Sequence, residues 1–247
     1  MGISSIGRLV NRYSPFLVQR KHEVQRYPHE REAAFLLALA LQSADRSDVY
    51  RLLRSLEAFE KSCKVPNSQS LQEVFALAWV DSTHQTFVDV GAGHAQRFSN
   101  SYCLQQLGWR GLLVEPNREF AQTLVERTCD NVYLENVAAG SRGIVEFADL
   151  GELSSCVDLL PANAYTGDRE AGVVETYDVS RVPLDDLLDK HFDHESELGF
   201  LSLDVEGAEL DVLRTLDSSF WRFQAICVEH NYRASVEAEL DLYFAQR

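Results

Sequence analysis

From residue 86 onward the chain alternates short apolar runs with stretches long enough for a helix, and this rhythm limits the folds open to it more than any other feature. The runs at 86–90, 111–115, 132–135, 200–204 and 225–229 are rich in Val, Leu, Ile, Phe and Ala, without regular polar alternation. A strand apolar on both faces must be covered on both, as happens to parallel strands joined by helical crossovers. Segments near 97–107 and 117–128 supply the first crossovers. A longer insert separates the third and fourth runs, with strand-like 144–147 and 175–179 around a loop holding Pro161, Gly167 and Gly172. The expected fold class is α/β: a mostly parallel, Rossmann-like sheet with helices on both faces.

Upstream of residue 86 the period is helical. Ala33, Leu36, Leu37, Ala40 and Leu41 recur at three-to-four spacing, and Val49, Leu52, Leu53 and Leu56 repeat it. Ser70-x-x-Glu73 reads as a capping box opening a third helix that runs to Val80. Residues 1–29 differ again, with five Arg or Lys against one acid, in a chain that carries 23 Lys+Arg against 38 Asp+Glu and a net charge of −15. Three parts are expected: a basic arm at 1–29, a helical extension at 30–85 packed on the core, and an α/β domain at 86–247.

The acidic balance argues against a nucleic-acid partner, because phosphate binding needs a basic face. The longest apolar run, 33–41, is too short for the roughly 20 residues of a membrane-spanning helix. The stripe of Ile3, Ile6, Val10, Tyr13 and Leu17 in the basic arm leaves peripheral membrane contact open. Five cysteines with no CxxC pair read as reduced thiols in a cytoplasmic setting. A homo-oligomer is compatible with all of this and required by none of it.

The candidate chemistry gathers at strand ends. The first run closes on Asp89-Val90-Gly91-Ala92-Gly93-His94, where glycines allow close approach of a ligand to backbone N–H groups and Asp89 is suited to a ligand ammonium. Gln96 stands where a dinucleotide fingerprint wants its third glycine, which disfavours a nicotinamide-dependent oxidoreductase without removing it. Glu115-Pro116 ends the second run, with the carboxylate placed for a ribose diol and Asn117 placed to cap the next helix. Asp204, Glu206 and Glu209 follow the fourth run; Glu206 and Glu209, three apart, are expected on one helix face. Three acids so close repel one another, which favours a ligand, substrate or metal contact over a solvated surface. His230, after the fifth run and beside Glu229, is the leading candidate base, with His94 the second. Asp204 with Glu229 or His230 could offer hard donors to Mg²⁺.

These motifs resemble the FkbM-type S-adenosylmethionine-dependent methyltransferases. The resemblance runs from Phe87 to about Tyr232 through Asp89-Val90-Gly91-Ala92, Ser99-Asn100-Ser101, Gly108-Trp109-Arg110-Gly111, Glu115-Pro116, Pro183-Leu184-Asp185-Asp186-Leu187-Leu188, Leu203-Asp204-Val205-Glu206-Gly207-Ala208-Glu209 and Val228-Glu229-His230-Asn231. It implies a seven-stranded methyltransferase sheet and S-adenosylmethionine as cofactor. The candidate cofactor set is Asp89, Gly91, Ala92, Gly93, Asn100, Glu115, Pro116, Asn136 and Asp204, and the candidate catalytic set is His230, Asp204 and Glu206; no residue is assigned to a resident metal. The implied reaction is O-methylation of a small-molecule or glycan hydroxyl, as in polysaccharide modification. Two departures stand out: Ala95 replaces a proline found in one branch of the family, and 233–247 supplies a helix where the fold normally ends in a two-stranded hairpin, so the hairpin is expected to be shortened or missing. A cofactor-binding but catalytically silent partner protein stays open as the reading from another class.

Overall fold

A computed structural model describes residues 67–69, 72–151, 154–159, 175–192, 195–230 and 234–246. The basic arm, the first two predicted helices, Ser70, and the loop with Pro161, Gly167 and Gly172 lie outside them. The chain divides into two units, Met1–Val65 and Pro66–Arg247, and everything below concerns the second.

Its centre is a five-stranded, wholly parallel sheet in the order β3-β2-β1-β8-β9. The strands are β1 (Thr86–Val90), β2 (Arg110–Val114), β3 (Val132–Glu135), β8 (Glu197–Leu203) and β9 (Arg222–Val228). Helices α1 (Gln72–Trp79), α2 (Tyr102–Gln106) and α3 (Arg118–Leu124) cover one face; α4 (Leu184–His191), α5 (Glu209–Arg214) and α6 (Ala234–Ala245) cover the other. Alternation of side chains along each strand divides the core accordingly. Phe87, Leu113, Phe200 and Ala225 pack with Ala76, Leu104 and Leu124 on the first face. Val88, Val90, Leu112 and Val114 pack with Leu184, Leu188, Val212 and Leu240 on the second. Trp109 and Trp221 are core residues.

Among the described residues five strands form this sheet, two fewer than the family resemblance implies, and α6 follows β9 where the two-stranded hairpin would stand. The insert between β3 and β8 forms a second, mixed sheet, β4-β7-β5-β6. Its strands are β4 (Ala138–Ala139), β5 (Gly143–Asp149), β6 (Ser155–Cys156) and β7 (Glu175–Val182), around a small core of Ala138, Phe147, Cys156 and Val179.

The carboxylate of Glu73 reaches back to the Asn67 and Ser68 amides, at 2.7 and 3.0 Å, and the Ser68 hydroxyl accepts from Gln72 N; Ser70, the other half of the expected capping box, lies outside the described residues. One local expectation changes. Cys103 is disulfide-bonded rather than reduced, whereas Cys129, Cys156 and Cys227 are free. An odd total does not bar one pair.

Candidate functional site

In an open parallel sheet, ligands bind outside the carboxyl ends of the strands, and a cavity lies there in this unit. Its walls come from the ends of β1, β2, β8 and β9 and from the second sheet. Gly91 sits at φ +79°, with its N–H bonded to Val114 O at 2.9 Å, and a Cβ there would lie 1.7 Å from the Asp204 carbonyl oxygen. Only glycine lets the loop cross the β8 tip so closely. Gly93, at φ +59°, has open space where its Cβ would project. Gly91, Ala92, Gly93 and Asn100 all line the cavity.

Glu115 lines it as well, nearly buried, and each of its carboxylate oxygens accepts one backbone amide. Oε2 takes Gly93 N and Oε1 takes Asn117 N, both at 2.7 Å. One side chain thus ties the glycine loop to the β2–α3 turn and keeps lone pairs for a ligand. Burial pushes its carboxyl up to about 7 against these two amides, and the charges of Asp89 and Asp204 push the same way. Pro116 lines the cavity beside it. Asn136 does not: its amide donates to the Glu115 and Pro116 carbonyls, at 2.7 and 3.3 Å, bracing that turn from behind. Asn117 caps α3, accepting from Glu119 N and Phe120 N, and donates to Asp149 and Ser154 across the seam with the second sheet.

The cavity is also lined by Asp204, Glu206 and Glu229, each with a carboxylate oxygen within 4.8 Å of the others. The β8–β9 register aligns them, since Leu203 pairs with Val228 and Glu229 N bonds Leu203 O at 2.9 Å. Burial, then the hydrogen bond and charge of Glu229, raise the Asp204 carboxyl far above the usual carboxylate range. The expected shared face for Glu206 and Glu209 is corrected. Glu206 lies before α5 at φ +54° and borders the cavity. Glu209 is buried, and its Oε1 accepts from Val205 N and Gly207 N, holding the turn.

Neither histidine is arranged as the sequence suggests. His230 follows Glu229 but does not line the cavity, because successive residues of an extended chain face opposite sides. His94 does line it, yet its Nδ1 accepts from Gln96 N and Arg97 N at 3.1 and 3.2 Å. Those two amides place the ring proton on Nε2, so the neutral ring has no lone pair there for a substrate proton.

Asp89 is the largest departure. It has the same parity as Phe87, so its side chain lies on the α2 face instead of at the crevice. Its carboxylate accepts from Ser101 Oγ at 2.5 Å, and Ser101 Oγ in turn accepts from buried Arg127 at 3.0 Å. Arg127 also donates to Ala95 O, Ser99 Oγ and Gln105 Oε1, gripping the glycine loop from beneath. Burial raises the Asp89 carboxyl, while Ser101 and the Arg127 charge oppose that rise.

The second sheet contributes Ala138, Ala139, Phe147 and Cys156, which with Phe120 give an apolar wall. Burial pushes the Cys156 thiol up to about 11, so it stays protonated as part of that wall. Two hydrogen bonds besides those of Asn117 fasten the seam, Ser155 Oγ donating to Glu206 O and Arg118 N to Tyr177 OH, while Ala95 N donating to Thr123 Oγ1 ties the neighbouring loop to α3. Arg97, Phe120 and Phe147 carried no motif signal, since nothing in a lone Arg or Phe tells a cavity wall from a surface or a core.

A model of the methyltransferase FkbM domain matches residues 89–247. Among solved structures, the chain is similar to a methyltransferase FkbM from Methylobacillus flagellatus KT, at 18% identity and a TM-score of 0.40, over 86% of this chain and 52% of that one. The chain thus spans about half the length of that protein. No curated protein matches it.

Proposed function

The chain belongs to the FkbM methyltransferase family, and from that premise we propose that it moves a methyl group from S-adenosylmethionine to a hydroxyl oxygen of a sugar or glycoconjugate. One observation carries the reading: the glycine loop and Glu115 line a single cavity together with the clustered carboxylates of Asp204, Glu206 and Glu229. The residues suit the cofactor. Glu115 has acceptor capacity for a ribose diol, Gly93 leaves room, the apolar wall suits an adenine, and the acids suit an ammonium and a sulfonium.

When bound, S-adenosylmethionine supplies an electrophilic methyl group. The chain must hold the acceptor oxygen in line and remove its proton. Burial and the neighbouring Glu229 raise the Asp204 carboxyl, which suits the Asp204–Glu229 pair to hold one proton between them. Glu229 takes the hydroxyl proton, with Glu206 orienting the acceptor. The same three acids are hard donors suited to Mg²⁺, and activity abolished by EDTA and restored by Mg²⁺ would assign them to metal instead.

Calorimetry on the full chain tests the cofactor. S-adenosylhomocysteine should bind in the micromolar range, on the order of −8 kcal/mol, and NAD should not. No binding, or preference for NAD, overturns the reading. Binding with no labelled methyl transfer to any of a broad panel of glycans and polyols would favour the catalytically silent partner.

A further inference from the structure

We propose that Asn100 Oδ1 accepts the ammonium of the cofactor's amino-acid arm, in an orientation that Ser202 and the buried Asp89 impose on its amide. The assignment rests on the cofactor reading above and adds to it the atom that holds this group. Asn100 lines the cavity and is otherwise buried, at 7% exposure. Its Nδ2 donates to Ser202 Oγ at 2.9 Å, and its Oδ1 has no donor among the described residues. With one end of the amide spent on Ser202, the oxygen is the end left for a ligand. An amide oxygen accepts and cannot donate, so it suits an ammonium and rejects a carboxylate.

What keeps the amide from turning over lies behind it. The β1–β8 register sets Ser202 beside Asp89, and both are buried. The Asp89 carboxylate takes the Ser101 hydroxyl on Oδ2 and has no hydrogen-bond partner at Oδ1. Burial raises this carboxyl, and the Ser101 hydroxyl, the Arg127 charge and the Ser202 hydroxyl oppose the rise. The Ser202 proton turns toward Asp89, which leaves Ser202 Oγ an acceptor toward Asn100. A reversed amide would set Oδ1 against Oγ, and a single hydroxyl proton would then have to serve both Asn100 and Asp89. An acid outside the cavity thus decides which ligand group is held inside it.

The strand order puts this amide at the matching end of the cofactor. Glu115, the candidate ribose partner, follows β2, Gly91 follows β1, and Ser202 lies in β8 on the other side of β1. An arm that leaves a ribose at β2 and crosses the glycine loop toward β8 arrives at Asn100.

The test compares three probes by calorimetry on the full chain: S-adenosylhomocysteine, its deaminated analogue, which keeps the carboxylate but lacks the ammonium, and 5′-methylthioadenosine, which lacks both. The intact protein should prefer S-adenosylhomocysteine to the deaminated analogue by about tenfold or more, the usual range for a hydrogen bond to a charged group. Asn100→Ala should cut that preference about tenfold and leave the affinity for 5′-methylthioadenosine within about twofold. Ser202→Ala frees the amide to turn and should cut the preference as well. Asn100→Asp, whose two oxygens both accept, should restore it in the Ser202→Ala background. Equal weakening for all three probes would reveal a structural role and overturn the assignment, as would an unchanged preference in Asn100→Ala or no rescue by Asn100→Asp. If the intact protein binds none of the probes, the cofactor reading itself fails; if it binds them and only the comparison across variants is flat, that reading survives and this inference alone falls.

Discussion

Replacing Glu115 with Gln should make the protein's stability less sensitive to pH, and the size of the change follows from where the side chain sits. The Glu115 carboxyl is raised from 4.5 to about 7, chiefly by burial. The folded state therefore binds more protons than the unfolded one between those values. Stabilisation from this group is complete below pH 4.5 and is lost as the pH climbs toward 7. At about 1.4 kcal/mol per pKa unit, the full effect is roughly 3 kcal/mol, of which about 2.5 kcal/mol falls between pH 5 and pH 8. Gln has a single acceptor oxygen for the two amides of Gly93 and Asn117, so one N–H loses its partner at a cost of about 1–3 kcal/mol. That cost is the same at both pH values. Asp89 and Asp204 also titrate upward in both proteins, and their charge coupling to Glu115 is a smaller contribution than its burial. Urea denaturation of the full chain at pH 5 and pH 8 measures the effect. Glu115→Gln should gain about 2.5 kcal/mol relative to wild type on going from pH 5 to pH 8. A differential below about 1 kcal/mol, or one of opposite sign, would refute the burial argument.

The other expectations rest on separate residues. Gly91→Ala should cost more than about 3 kcal/mol by urea denaturation, since the left-handed φ penalty of about 1–2 kcal/mol adds to a Cβ placed 1.7 Å from the Asp204 carbonyl oxygen; Gly93→Ala, with open space, should cost only the φ penalty but weaken S-adenosylhomocysteine binding. Arg127→Met should destabilise by about 3 kcal/mol by stranding Asp89, and adding Asp89→Asn should recover part of that loss; strictly additive losses would dissolve the network. Glu229→Gln should cut methyl transfer about 10²-fold with little change in S-adenosylhomocysteine affinity, whereas His230→Ala should cost less than about tenfold. The reverse ranking would return the proton to the histidine.

Much of the sheet was readable because its strands are apolar on both faces. β1 and β3 fall where the runs fall, and β8 and β9 are neighbours as their motifs imply. Both of these begin three residues earlier than expected, because Glu197, Gly199, Arg222 and Gln224 dilute the apolar signal at positions where the backbone still pairs. The second sheet was half visible: β5 and β7 carry strand patterns, while β4 and β6 are two residues each and leave no period to detect. In the cavity, glycine spacing and strand-end acids pointed to Gly91, Gly93, Glu115 and Asp204 because those positions are set by backbone geometry. The direction of Asp89 was available from its parity with Phe87, and reading it only as an acid at a strand end passed over that parity. Arg127 gave no local signal, since its partners Ala95, Ser99, Ser101 and Gln105 come together only after α2 and α3 fold over β1.

The seam between the two sheets has a consequence for how such a cavity can diversify. Every strand pairing of the central sheet is made within that sheet, and those of β4 to β7 are made among themselves. The insert between β3 and β8 can therefore lengthen, shorten or exchange side chains while the register of β1 with β2 and β8 stays untouched. What it must keep is the small set of fasteners at Asn117, Arg118 and Glu206 that sets the gap between the walls. Side chains on the second-sheet wall can therefore be exchanged while the glycine loop and Glu115 keep the positions that the central sheet gives them.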